Sequence, residues 1–170
     1  MDNPSLWALW QLLLPVFIAG CVHMAVVTCN VLPWLAVPLN VRLFGGNKTW
    51  RGMVIVPLIS MLVAPLCLAN EMENPWLLGA ATGLGYMLGE LPNSALKRAL
   101  GIAPGTLPAR GRWLFLFLDQ ADSGLGVALA CGWLLALDMR QVLLLLALFI
   151  LSVPVIKLAL YSLGLKKSRF

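Results

Sequence analysis

Apolar residues come in long unbroken runs along this chain, and the polar ones are swept into the gaps between them. Runs at about 6–29, 53–69, 76–91, 114–137 and 142–163 approach or reach the roughly 17–25 residues that an α-helix needs to cross the hydrocarbon core. The pattern predicts an all-α, polytopic membrane protein: a single integral-membrane domain over 1–170 with about five transmembrane helices. One stretch breaks the rhythm. In "NVLPWLAVPLNVRLF", residues 30–44, Pro33 and Pro38 predict a kinked or re-entrant segment rather than a straight helix. No internal repeat is evident, and no soluble domain is left over.

Composition strengthens this reading. Of 170 residues, 61% are hydrophobic and 11% charged, against about 25% charged in an ordinary globular domain, and the mean hydropathy is +0.89. A soluble fold would leave most of that apolar surface uncovered. The net charge of +5 does not point to nucleic acid, because a basic balance in a membrane protein usually reflects its cytoplasmic loops. The opening "MDNPSLWALW" holds an acid and no Lys or Arg, which favours a retained first span over a cleaved leader. Cys21, Cys29, Cys67 and Cys131 all lie in apolar segments without CxxC spacing and are expected to be small packing residues.

Placing the charges orients the chain. Arg42, Lys48 and Arg51 fall between the first and second runs. Lys97, Arg98, Arg110 and Arg112 fall between the third and fourth, and Lys166, Lys167 and Arg169 follow the fifth. With five spans these all lie on one side, while Asp2, Glu71, Glu73, Asp138 and Arg140 lie on the other. The positive-inside rule then predicts an N-terminus outside and a C-terminus in the cytoplasm of a cell-membrane protein. The remaining acids, Glu90, Asp119 and Asp122, gather on the cytoplasmic face at about headgroup depth.

Those acids are the candidate chemistry. A carboxylate at the middle of a membrane helix costs about 2.5–3.5 kcal/mol on the insertion scale. Yet "FLDQADSG" puts Asp119 and Asp122 between two apolar runs, on one helix face at i and i+3, with Ser123 at i+4 beside Asp119. Hard cations such as Mg²⁺ are held by one or two carboxylates plus substrate phosphates, so the pair reads as a metal site shared with a phosphorylated substrate. The bland alternative is a structural pairing of one Asp with Arg110 or Arg112. In "GELPNSALKR", Glu90, Asn93, Ser94, Lys97 and Arg98 make one continuous helical stripe. Snorkelling accounts for Lys97 and Arg98 and leaves the other three unexplained. "FGGNKTWRG" offers Lys48, Thr49 and Arg51 in a glycine-rich turn suited to phosphate, without P-loop spacing. His23 is expected to be a satisfied, helix-packed histidine. Lys157, a lone cation inside the fifth run, is either functional or snorkelling. Gly79/Gly83, Gly85/Gly89 and Gly124/Ala128/Gly132 have the spacing of close helix contacts; they allow a homodimer without requiring one.

"NKTWRG" at 47–52, "GE" at 89–90 with "NSALKR" at 93–98, and "DQADS" at 119–123, in that order over nearly the whole chain, resemble the CDP-archaeol synthase family, relatives of the CDP-diglyceride synthetases (phosphatidate cytidylyltransferases). "CNVLP" at 29–33 is similar to the family's Asn-x-x-Pro element, at Asn30. The resemblance implies a nucleotidyltransferase of phospholipid biosynthesis that moves a cytidylyl group from CTP to a lipid phosphate, releasing pyrophosphate, with Mg²⁺. It implies metal binding at Asp119 and Asp122, catalysis by these with Lys97 and Arg98, and substrate contacts at Asn30, Lys48, Thr49, Arg51, Asn93, Ser94, Lys97 and Arg98. Its partners would be CTP, the lipid phosphate and membrane lipids, with no nucleic acid. Gly46 stands where archaeal members often carry an acid, and Glu90 where many have Asp. The choice between an archaeol-type phosphate and phosphatidic acid stays open.

Two other classes compete with this one. A CDP-alcohol phosphotransferase would need an Arg and further aspartates after Asp122, where the chain reads "SGLGVALACG". A small transporter or ion pathway would spread polar residues through the membrane depth. Here, apart from His23 and Lys157, they sit at one face.

Overall fold

A computed structural model describes residues 4–68, 72–106, 108 and 111–164; the sequence-level assignments to Asp2, Glu71, Arg110, Lys166, Lys167 and Arg169 lie outside these. The regular structure of the described chain is all helical apart from one isolated bridge between Pro38 and Thr49. Helices α1 (Leu6–Gln11) and α2 (Leu14–Thr28) follow one another almost without a break. Pro15 stands in the first turn of α2, where its missing N–H interrupts the helical ladder at their junction. A one-turn 3₁₀ helix (Pro33–Leu35), the Pro38–Thr49 bridge and the short α3 (Val41–Phe44) fill the proline-broken stretch. It is not a straight helix. Then come α4 (Trp50–Leu68), α5 (Pro75–Ala99), α6 (Arg112–Leu135) and α7 (Met139–Ser162).

Each boundary has a local cause. Asn74 caps α5, accepting from the Leu77 N–H at 3.1 Å, with Pro75 at the first helical position. Asp138 and Gln141 form a reciprocal capping box at the start of α7, with bonds of 2.8 and 3.0 Å.

Helix α5 is the centre of the bundle, packed on α4 along one side and on α6 along the other. Its glycines explain the closeness. A Cβ at Gly79 or Gly83 would collide with the α4 backbone near Ser60, Met61 and Pro57. One at Gly85 or Gly89 would collide with α6 at Gly126 and Asp122. These are the close helix contacts that the glycine spacing predicted. Outward from this triple layer, α2 packs on α4 and α7 on α6, and α1 returns to α7, where Trp10 Nε1 donates to Ser152 Oγ at 3.1 Å. Leu13, Val16, Val56, Val127, Leu145 and Phe149 fill the interior.

The outer surface is apolar. Leu66, Trp113 and Trp133 are more than four-fifths exposed, which in water would be a large unexplained patch. Four helical stretches among the described residues, Leu6–Thr28, Trp50–Leu68, Arg112–Leu135 and Met139–Ser162, are long and apolar enough to cross a membrane, and they suggest a multi-pass membrane protein. The third expected span falls in α5. Its 25 residues reach about 37 Å, more than the hydrocarbon core requires, but α5 is not among the four. Glu90, Asn93, Ser94, Lys97 and Arg98 occupy its C-terminal third, and neighbours on both sides relieve it of the need for an apolar surface.

Candidate functional site

The antiparallel run of α4, α5 and α6 brings three chain segments to one end of the bundle: the turn before α4, the last turns of α5 and the first turns of α6. Between them, and roofed by Pro104, Gly105 and Thr106, lies a cleft of about 310 Å³. Seven ionisable side chains line it: Lys48, Glu90, Lys97, Arg98, Asp119, Asp122 and Lys157. Ser94 and Asn47 add neutral polar groups.

The carboxylates are held from α5. Asn93 Nδ2 donates to Asp119 Oδ1 at 2.6 Å and to Asp122 Oδ2 at 2.9 Å, so one amide spans the pair. Lys97 forms an ion pair with Asp119 and sits 5.9 Å from the centre of the Phe115 ring. Among the described residues neither aspartate pairs with Arg112; Arg110, the other partner considered in the bland alternative, lies outside them. The α5 helix supplies the neutralising charge because Gly85 and Gly89 let it approach α6 at backbone distance. Asp122 instead accepts from the Ser123 N–H at 2.6 Å and the Ser123 hydroxyl at 3.1 Å. The same hydroxyl lies 3.0 Å from Glu90 Oε1, which links Ser123 to Asp122 and Glu90 rather than to Asp119. Glu90 also pairs with Lys48, tying the turn before α4 to α5.

An inventory of charge follows. Lys48 is committed to Glu90 and Lys97 to Asp119. Among the described residues, Arg98 and Lys157 are the cleft cations left without an ion pair, and Asp122 is the carboxylate left without one. Arg98 Nε and Nη1 and Asn93 Oδ1 are buried and lack hydrogen-bond partners. The cleft therefore keeps positive groups for an anion and carboxylate oxygens for a cation. No group of three or more His, Cys, Asp or Glu side chains converges on a metal position among the described residues. Two aspartates with an unsatisfied amide oxygen beside them nevertheless suit Mg²⁺, which takes hard oxygen donors and completes its shell with water and phosphate.

Not every residue expected at the site faces the cleft. Arg51 is buried in α4 and turns to the other side, donating from Nη1 to the Val31 carbonyl at 3.2 Å and to Asn30 Oδ1 at 3.5 Å. Asn30 itself adopts a left-handed backbone conformation, φ 50°, and Arg51 holds that turn. Thr49 stands opposite Pro38 in a backbone bridge made by its neighbours Lys48 and Trp50. Asn30, Thr49 and Arg51 do not line the cleft. His23 differs from its expectation as well: its Nε2 is buried without a partner, and the position a Gly52 Cβ would take lies 3.3 Å from it.

Some residues of the cleft, or bonded to it from behind as Ser123 is, carried a sequence signal without being counted among the site residues. Glu90 opens the α5 stripe one turn before Asn93 and Ser94. Lys157 is a cation in an otherwise apolar run. Ser123 follows Asp122 directly, and its link to Glu90 depends on the α5–α6 approach that no local pattern reveals. The cleft has to be read from these residues alone, since no family of known proteins, no curated protein and no solved structure matches the chain.

Proposed function

We propose that this protein is a Mg²⁺-dependent CTP:lipid-phosphate cytidylyltransferase of the CDP-archaeol synthase type, acting in membrane phospholipid synthesis. The reading includes five spans, with α5 as the third, an N-terminus outside and the cleft facing the cytoplasm. The observation that carries it is the meeting of Ser94, Lys97 and Arg98 with Asp119 and Asp122 in one cleft, with Asn93 bonded to both aspartates from behind its lining, at the basic end of an apolar bundle.

In this reaction an oxygen of the lipid phosphate attacks the α-phosphorus of CTP. The bond from that phosphorus to the oxygen bridging to the β-phosphate breaks, and pyrophosphate leaves with the electron pair. Little covalent work falls to the protein; its task is to position the reactants and offset charge. Arg98, with buried unsatisfied N–H groups, would hold triphosphate oxygens. Lys97 would share its charge between Asp119 and the departing pyrophosphate. Ser94, on the cleft wall, would donate to a phosphate oxygen. Asp119 and Asp122 would hold Mg²⁺, which supplies charge neutralisation at the phosphates. Asn93 would keep the two carboxylates in register.

The test is pyrophosphate release from CTP by protein purified in detergent, with Mg²⁺ and either phosphatidic acid or an unsaturated archaeol-type phosphate. Release that depends on lipid and is lost in Asp119→Asn and Asp122→Asn is the expected result. No release with either lipid from folded protein would overturn the reading.

A further inference from the structure

The polar cleft does not stop at α6. Lys157, on α7, lines it and also lines a second cavity of about 130 Å³. That cavity is walled by Val16, Phe17 and Gly20 of α2 and by Phe149 and Ile156 of α7, with Tyr86 of α5 among its lining. Apart from Lys157, Tyr86 and Cys21, its lining is apolar. It lies between α2 and α7, whose backbones stay apart while the Phe17 and Phe149 rings meet beside it with centroids 5.2 Å apart. A polar cleft and an apolar groove thus share one residue, and that residue is a cation with no ion-pair partner among the described residues.

An ammonium inside an apolar span is expensive unless something offsets it. Here Glu90 and Asp119 are paired with Lys48 and Lys97, and Asp122, which also lines the cleft, is bonded to Asn93 and Ser123, so Lys157 faces the cleft without an ion pair of its own. An amphiphile with an anionic head and a hydrocarbon tail matches both sides of this junction, and its tail would exclude water from the groove.

We propose that Lys157 anchors the phosphate monoester of the lipid substrate at the edge of the polar cleft, with part of the hydrocarbon chain in the groove between α2 and α7. This rests on the lipid-phosphate reading above and adds to it a residue and a route. Nucleotide phosphate is then left to Arg98, the other cleft cation without an ion pair among the described residues. Gly20 supplies a clean probe of the groove, because a Cβ there would meet nothing within 4 Å.

Binding, read without turnover, separates this inference from the reaction it builds on. Native mass spectrometry of the full chain in detergent would compare dioleoyl phosphatidic acid, dioleoylglycerol and dihexanoyl phosphatidic acid, with inorganic phosphate as competitor and CTP titrated separately. Lys157→Met is expected to weaken phosphatidic acid binding about tenfold or more, the loss typical of one charge-assisted hydrogen bond, while sparing dioleoylglycerol and CTP. Gly20→Leu is expected to weaken the dioleoyl lipid and spare the dihexanoyl one. Undiminished phosphatidic acid binding by Lys157→Met, a loss of CTP binding in its place, or full competition by inorganic phosphate would overturn the proposal. So would equal loss of both chain lengths in Gly20→Leu. Phosphatidic acid bound through Lys157 with no pyrophosphate release would instead keep this inference and sink the cytidylyltransferase.

Discussion

Lys97 of α5 pairs with Asp119 of α6 across the tightest seam in the bundle. The seam is tight because Gly85 and Gly89 face the α6 backbone with no room for a Cβ. An acid that would be costly in an apolar helix is thus offset by a cation from a neighbour, and Asn93 extends the same support to Asp122. Asp122 has no cation of its own among the described residues, so the two aspartates are chemically unlike despite sharing a helix face.

The pair should behave as a coupled unit. Lys97→Met and Asp119→Asn each strand one partner in a half-buried site, whereas the double variant strands neither. A double-mutant cycle on thermal unfolding in detergent is expected to give a coupling of about 1–2 kcal/mol. Simple additivity of the two losses would mean that solvent screens the pair and that Asn93 alone holds Asp119.

Asp122→Asn should separate stability from activity. Its carboxylate accepts from Asn93 and Ser123 without an ion pair to break, so the melting temperature is expected to stay close to the parent's. Turnover should fall on the order of 100-fold or more, as when one preorganised charge is removed from a phosphoryl-transfer site, and added Mg²⁺ should not restore it. A variant that keeps its activity would assign the metal elsewhere, or to Asp119 alone.

How much of this was visible in the chain depends on range. The five helical runs were legible because apolar length is a local property, and their expected limits agree with α1 and α2 taken together, α4, α5, α6 and α7 to within a few residues at most ends. The exception is the C-terminal end of α5, which continues through Pro92 to Ala99. The α5 stripe was legible for the same reason, since 3.6-residue spacing gathers Glu90, Asn93, Ser94 and Lys97 on one face. What the pattern could not supply was partner choice. Arg112 is nearer to Asp119 in sequence than Lys97 is, yet Lys97 makes the pair because the glycine seam brings α5 against α6. Arg51 and Thr49 sit beside Lys48 in one motif, but the chain enters α4 between them. Lys48 stays in the segment paired with Leu39 before α4 and faces the cleft, while Arg51, in the first turn of α4, reaches back to Asn30 and Val31. The groove at Gly20 and Lys157 joins residues from opposite ends of the chain, and no spacing rule reaches that far.

The seam itself can be tested with one methyl group. Gly89→Ala drives a Cβ into the Asp122 carbonyl and toward Gly126, and overpacking of this kind costs about 1–3 kcal/mol. Gly46→Ala places its Cβ in open space and should shift stability by no more than about 0.5 kcal/mol. Thermal unfolding of the two variants side by side would show it. Gly89→Ala should also lose turnover, since it pries Asn93 and Lys97 away from the aspartates. Equal melting temperatures would mean that α5 and α6 pack less closely than the structure has them.

Arg98 offers the sharpest contrast between stability and function. Its Nε and Nη1 are buried without partners, beside Gly45 and Pro104, so the folded protein bears the desolvation of a guanidinium and recovers little from it. An apolar side chain of similar length removes that cost. Arg98→Met is therefore expected to hold or raise the melting temperature, by about 2–4 °C for each kcal/mol relieved in a chain of this size, while CTP-dependent turnover is lost. This is the trade-off expected where a site keeps a strained group for a ligand. Scanning fluorimetry with and without CTP reads both halves: CTP should stabilise the parent protein through mass action and leave Arg98→Met unmoved. A fall in melting temperature without loss of CTP stabilisation would make Arg98 a structural cation and return nucleotide binding to Lys48 and Lys97.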